Sequence, residues 1–180
     1  MRKTVFLLLT VILITFTACV QTNADQTQAE TVTPKVKAEV EFKDFGPEPF
    51  VLNIDDYTIQ NESFRTSIWT GQFMQMTVMS IPVGGDIGAE MHPDIDQFLR
   101  VESGEGIVYM GDAEGDYNFQ ERVEDDFAIF IPAGKWHNLV NDSDEPLKVY
   151  SIYSPVEHPH STVHATKEEG IEAHAAAHGH

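Results

Sequence analysis

The chain holds one cysteine, Cys19, so an internal disulfide is excluded. It is also short of positive charge, with 11 Lys and Arg against 29 Asp and Glu and a formal net charge of −18. A surface that neutralises phosphates is therefore missing, and nucleic acid is not an expected partner. No apolar run is long enough to span a bilayer core of ~30 Å. Between the segments of β texture there is no amphipathic stretch long enough for a crossover helix, which argues against parallel βαβ folds. What is present is a chain of 180 residues with 42% hydrophobic and 10% aromatic residues. On a prior of roughly 100 to 200 residues per domain, that is one globular domain with extensions.

The N-terminus explains the lone cysteine. Arg2 and Lys3 precede an apolar run from Val5 to Phe16, and Thr17-Ala18-Cys19 follows. A positive start, a short apolar core and a small residue before the cleavage point are the parts of an export signal. The segment resembles the lipobox of bacterial lipoproteins, in which the Cys is lipidated and becomes the mature N-terminus, although Phe16 stands where Leu is commoner. The reading is a signal peptide over 1–18, lipidation at Cys19 and an extracytoplasmic, membrane-anchored or secreted protein. The acidic body is repelled by anionic lipid, so membrane contact is expected through the lipid anchor only. Residues 19–45 are rich in Gln, Thr, Ala and charge, with Pro34 interrupting any helical stripe, and read as a flexible tether.

From Phe50 onward, short β-branched and aromatic runs alternate with Gly, Pro, Asn and Asp at intervals of about ten residues, the spacing of an all-β domain. The segments read as strands are 50–54, 64–69, 73–81, 97–101, 107–110, 117–123, 127–131, 136–140 and 147–153. They are separated by turn sequences such as ESGEG, PAG and NDSDEP. A domain over 46–156 and a tail over 157–180 follow.

Two clusters inside the β region carry the chemistry. One runs Gly84, Glu90-Met91-His92, Gln97, Gly104; the other runs Pro132, Gly134, His137, Asn141. Together they resemble the two sequence motifs of the cupin superfamily. Glu90 falls where that family has its first His, His92 on the second His, Gln97 where the family has Glu, and His137 on the His of the second motif. Asp126 stands at that motif's opening Gly. The resemblance covers residues 64–153 and implies a single double-stranded β-helix, or jelly-roll, barrel. It implies one divalent metal ion held by Glu90, His92, Gln97 and His137, and it makes a homodimer an expectation at family level.

The spacing has a physical meaning of its own. Residues two apart on a strand project to one face, so Glu90 and His92 enter the same cavity. The Pro93-Asp94 turn resets the register so that Gln97 returns from the next strand; a slip of one residue would put Asp96 there instead. One carboxylate, two imidazoles and one amide oxygen suit Zn, Mn, Fe or Ni. With one anionic ligand the centre keeps about one positive charge, which favours a small polar or anionic molecule.

Other residues read differently. Arg65 is expected in a surface ion pair, Trp69 and the Met74/Met76 pair in the core, Lys135 in a solvent-facing turn, and Tyr109 and Trp136 near the site. The tail holds six of the eight His, namely His158, His160, His164, His174, His178 and His180. Those from His174 onward read either as a metal-capturing sheath or as a solvated tail, whereas His158 and His160 are expected to pack across the barrel edge. The expected function is a metal-dependent enzyme acting on a small hydroxylated or carboxylated compound, isomerase-like, with Glu90 as the catalytic proton carrier. The ligand types also resemble, in permuted order, those of zinc phosphomannose isomerases. A redox-metal dioxygenase and a non-catalytic binding module are the alternatives.

Overall fold

The computed structural model describes residues 39–178. The expected signal peptide, Cys19, most of the expected tether and His180 lie outside the described residues. The elements are α1 (Ile54–Gln60), β1 (Arg65–Thr70), β2 (Gln75–Ile81), β3 (Asp96–Ser103), β4 (Gly106–Gly111), β5 (Phe119–Val123), β6 (Ala128–Ile131), β7 (Trp136–Val140), β8 (Leu147–Ser154), β9 (Val163–His164) and α2 (Lys167–His178). Six strands form one sheet in the order β6-β3-β8-β2-β1-β9, and three form a second in the order β5-β4-β7. Every pairing between strands is antiparallel. This is the all-β architecture expected from the spacing, in the jelly-roll form that the resemblance implies.

Alternation along the strands builds the interior. Leu99 and Val101 of β3, Leu147 and Val149 of β8, Met79 and Ile81 of β2, and Val108 and Leu139 from the smaller sheet join in one buried cluster. Followed by twos, the same inward face then becomes polar. It continues from Leu99 to Gln97, from Leu139 to His137, and from Val149 to Ser151 and Tyr153, all of them buried. One end of the barrel is therefore hydrocarbon and the other is a pocket of polar groups.

The turns explain the motif residues that do not touch the site. Gly104 has φ +86, and a Cβ there would lie 2.9 Å from the Pro146 carbonyl oxygen, so both conformation and space call for glycine. Asp126, at the position where the family has Gly, has φ 71, a left-handed conformation that Asp tolerates better than most residues. The Asn141 amide donates to the carbonyls of Ile81 (3.0 Å) and Glu145 (2.8 Å) and accepts from the Ser143 N–H (3.0 Å), which ties the β7–β8 turn to β2.

Three expectations are corrected. The segment 50–54 forms no strand; Phe50, Leu52 and Ile54 alternate, but they lie against the outer face of the large sheet, and α1 begins at Ile54. The last residues assigned to the tether are docked rather than free. Val40 and Phe45 join Tyr57, Ile68, Met76 and Val78 in a second apolar cluster, with Phe45 stacked on Phe50 at 3.9 Å. β2 presents apolar residues to both faces, and Ile68 and Trp69 of β1 join Met76 and Val78 on the outer one, so that face needs this cover. Finally, 167–178 is helix rather than solvated coil or strand, as its Ala and Glu content favours. Its sole large aliphatic residue is Ile171, so no amphipathic stripe announces it.

Candidate metal centre

The residues preceding β3 run antiparallel to β7 and bring Glu90 opposite His137. The Glu90 N–H donates to the His137 carbonyl (3.0 Å) and the His137 N–H to that of Glu90 (2.9 Å). His92 is held two residues on, where its carbonyl accepts the Gly134 N–H at 2.8 Å. Glu90, His92 and His137 thus offer ligand atoms that all lie within 4.8 Å of one another. Glu90 Oε1 is 3.4 Å from His137 Nε2 and 3.6 Å from His92 Nε2.

The second nitrogen of each imidazole is already committed. His137 Nδ1 lies 3.0 Å from the Lys135 carbonyl, which can only accept, so the proton sits on Nδ1 and the Nε2 lone pair faces Glu90. His92 Nδ1 faces the Glu157 carboxylate at 3.5 Å, the orienting contact that metal-bound imidazoles make with a carboxylate. Gln97 enters from β3, and its amide N–H donates to Ser151 Oγ at 3.1 Å, which leaves its Oε1 as a free acceptor.

Four atoms are consequently buried without a hydrogen-bond partner: Glu90 Oε1, His92 Nε2, Gln97 Oε1 and His137 Nε2. They are one atom from each residue of the expected ligand set, and all are electron-pair donors. Buried polar atoms are rarely left unsatisfied, and a divalent cation satisfies such a set together. The residues fit the metal that the cupin resemblance implies. Asp96 is not the fourth donor, because it is exposed and its Oδ1 accepts the Ala133 N–H at 2.9 Å, bracing the turn before β7.

Charge around the cluster favours an anionic Glu90. Burial disfavours its carboxylate, but the adjacent imidazoles of His137 and His92 and the charge of Arg65 hold its pKa well below the usual range. Burial likewise opposes a charged His92, yet the Glu90 contact and the Glu157 charge outweigh it and raise the His92 pKa. Glu90 is therefore ionised and available to a cation.

The remaining expectations divide. Arg65 is not a surface residue. It is 5% exposed and forms no ion pair among the described residues. The reason is topological: Arg65 begins β1, where β9 covers the sheet edge and His164 pairs with it. Met76 is core, but in the cluster outside the barrel, where Trp69 also packs and donates from Nε1 to the Glu48 carbonyl at 2.8 Å. Met74 is exposed and Lys135 pairs with Asp112 at the surface. Tyr109 packs beside Tyr117 on the small sheet, away from the ligands. Trp136 lines the cavity beside Glu90. His158 packs edge-on against Tyr153 at 5.0 Å, while His160 hydrogen-bonds the Gly46 carbonyl through Nε2 at 3.1 Å.

Sequence reasoning missed Glu157, which follows β8 and reaches back to His92, and Tyr153, whose buried hydroxyl lacks a partner. Tyr153 was findable, because it lies in phase with Val149 and Ser151 on the inward face. Glu157 carried no such signal. Above the ligands lies a cavity of about 690 Å³, walled on one side by α2 through Lys167, Gly170, Ile171 and His174.

Comparison with known proteins agrees with this geometry. The cupin domain family matches residues 77–153. YrkC of Bacillus subtilis (strain 168) is 55% identical over 131 residues, covering 73% of this chain and 70% of its own. The crystal structure of BH2720 from Bacillus halodurans is 56% identical, covers 73% of this chain and 99% of that one, and superposes with a TM-score of 0.72. A Klebsiella pneumoniae protein with a double-stranded β-helix domain is 18% identical, covering 66% of this chain and 100% of its own with a TM-score of 0.51, a likeness of fold alone. With its barrel, both motif clusters and these relatives in agreement, the chain belongs to the cupin superfamily.

Proposed function

We propose that this cupin is an extracytoplasmic enzyme that uses one divalent metal ion, held by Glu90, His92, Gln97 and His137, to act on a small hydroxylated or carboxylated compound. The observation that carries the reading is the convergence of three unpartnered donor atoms, from Glu90, His92 and His137, beside a cavity of about 690 Å³ that Glu90 lines, a size suited to a small molecule. The metal supplies Lewis acidity toward a carbonyl or hydroxyl oxygen. The chain's own groups supply the rest. Glu157 and the Lys135 carbonyl hold the imidazole orientations. Glu90 is the carboxylate placed to hold or move a proton beside the ligand, and α2 restricts water at the mouth.

A second reading has a specific observation behind it. Two imidazoles and one carboxylate are the donor set found in non-haem iron oxygenases, and Glu90, His92 and His137 compose it, so a redox-metal dioxygenase is the alternative. Metal analysis of aerobically purified protein separates the two. About one ion per chain is expected; zinc favours the isomerase-like reading, whereas iron, manganese or nickel favours oxygenation. A chain that retains no ion after equilibration with these metals and removal of the excess overturns both. The extracytoplasmic placement rests on Cys19 and the preceding apolar run. The mature protein is expected in the detergent phase on phase separation, and Cys19→Ala is expected to remain unprocessed or move to the aqueous phase. A wild-type chain that is unmodified and soluble refutes the anchor.

A further inference from the structure

A second set of unsatisfied polar atoms lies beside the metal ligands and is chemically different from them. Arg65 Nε, Tyr153 Oη, His158 Nε2 and His164 Nδ1 are all buried without a hydrogen-bond partner. They come from distant parts of the chain, assembled where β1 pairs with β9 and where the segment after β8 folds over the barrel end. Tyr153 and His158 are 5.0 Å apart by ring centroid, and His158 and His164 are 6.4 Å apart. Arg65, His158 and His164 all line the cavity. Arginine offers donors alone, tyrosine offers one, and a neutral imidazole offers one from either nitrogen. The set therefore complements an acceptor, and its one fixed charge is positive.

We propose that Arg65, with Tyr153, His158 and His164 beside it, is a carboxylate-binding subsite that selects ligands carrying an anionic head on an apolar body. The inference deepens the small-molecule reading above and rests on it. Charge accounting favours it. The carboxylates whose charge acts on Arg65 are Glu90 and Glu157, and once a divalent ion takes Glu90, one of them is spent. Glu157 already faces His92 Nδ1 at 3.5 Å and His174 Nδ1 at 3.9 Å. A buried guanidinium whose Nε has no acceptor is costly, and a ligand carboxylate offers two oxygens that match its fork. Burial and the Arg65 charge keep His158 and His164 neutral, so they add hydrogen bonds without adding charge. Phe64, Ile87, Met91, Trp136 and Ile171 also line the cavity, which calls for a hydrocarbon or aromatic body rather than a polyhydroxylated one.

Benzoate and its uncharged isostere benzamide test this by calorimetry on the full-length, zinc-loaded protein, with acetate as the head without the body. Benzoate is expected to bind at least about tenfold tighter than benzamide, as loss of a charge-assisted bidentate contact implies, and tighter than acetate. In Arg65→Gln the preference for benzoate over benzamide is expected to vanish while the metal content stays at that of the wild type. Arg65→Lys is expected to retain part of it. Equal affinities of benzoate and benzamide for the wild type overturn the proposal whether or not the variants fold. A preference that survives in Arg65→Gln overturns it as well, because the carboxylate is then on the metal. Metal content is read on the same samples. A chain that holds no ion yet prefers benzoate keeps the subsite and refutes the metal reading.

Discussion

Glu90→Gln is expected to weaken metal binding by about a hundredfold or more, whereas Gln97→Ala costs about tenfold or less, given that even an orienting residue outside the ligand set is worth about 10- to 100-fold. The ranking follows from charge. Glu90 is the only anionic member of the donor set, and its pKa is held well below the usual range by His137, His92 and Arg65 despite burial. Replacing it leaves a divalent cation facing neutral donors and a buried arginine. Gln97 contributes one amide oxygen, for which water can substitute. His92→Ala and His137→Ala should be at least as damaging as Glu90→Gln, since water is a poorer donor than imidazole. Glu157→Gln, which keeps the shape but weakens the acceptor at His92 Nδ1, should fall between the extremes. Competition against a chelating dye at one fixed pH measures all five, because the ligands bind in their deprotonated forms. A Gln97→Ala chain that binds metal worse than Glu90→Gln would refute the assigned roles.

Acid should destabilise the metal-free protein through a residue outside the donor set. Burial, with the Arg65 charge next, pushes the His158 pKa from 6.5 down to about 2. Below pH 6.5 the unfolded chain therefore binds a proton that the folded chain refuses, and the slope of stability with pH is positive. The stability is intact above 6.5 and is lost progressively as pH falls from there toward 2. Between pH 7 and pH 5 the loss from this one group is about 2 kcal/mol. His158→Gln removes the titration while keeping a polar side chain. Its urea midpoint at pH 5, relative to pH 7, should fall by less than that of the wild type. Equal pH dependence in the two proteins would show that His158 takes up its proton in place.

Much of the barrel was legible because its signal is local. The alternation that places Leu99 and Val101 in the core also aims Gln97 inward, and the same arithmetic links Leu139 to His137 on β7. The turns at Gly104 and Asp126 were likewise readable from residue type. What escaped was what depends on distant pairing. Nothing near Arg65 in sequence announces that β9 will seal its edge, and nothing near Glu157 announces that it will meet His92. Segment 50–54 misled for a related reason: its alternation is real, but it has no strand to pair with and serves as a cover for β1 and β2. In α2 the alanines and glutamates favour a helix, but with Ile171 as its sole large aliphatic residue there is no apolar stripe to mark it.

The division of β3, β7 and β8 into a hydrocarbon end and a polar end bears on how this protein can change over generations. Two residues along a strand separate side chains by about 7 Å, roughly the distance beyond which substitutions combine additively. A substitution that trades one donor for another at positions 90, 92, 97 or 137 is therefore expected to leave Leu99, Leu139 and Val149 undisturbed. Chemistry and stability thus sit at different ends of this barrel, so new donor sets can be sampled by selection at little risk to folding.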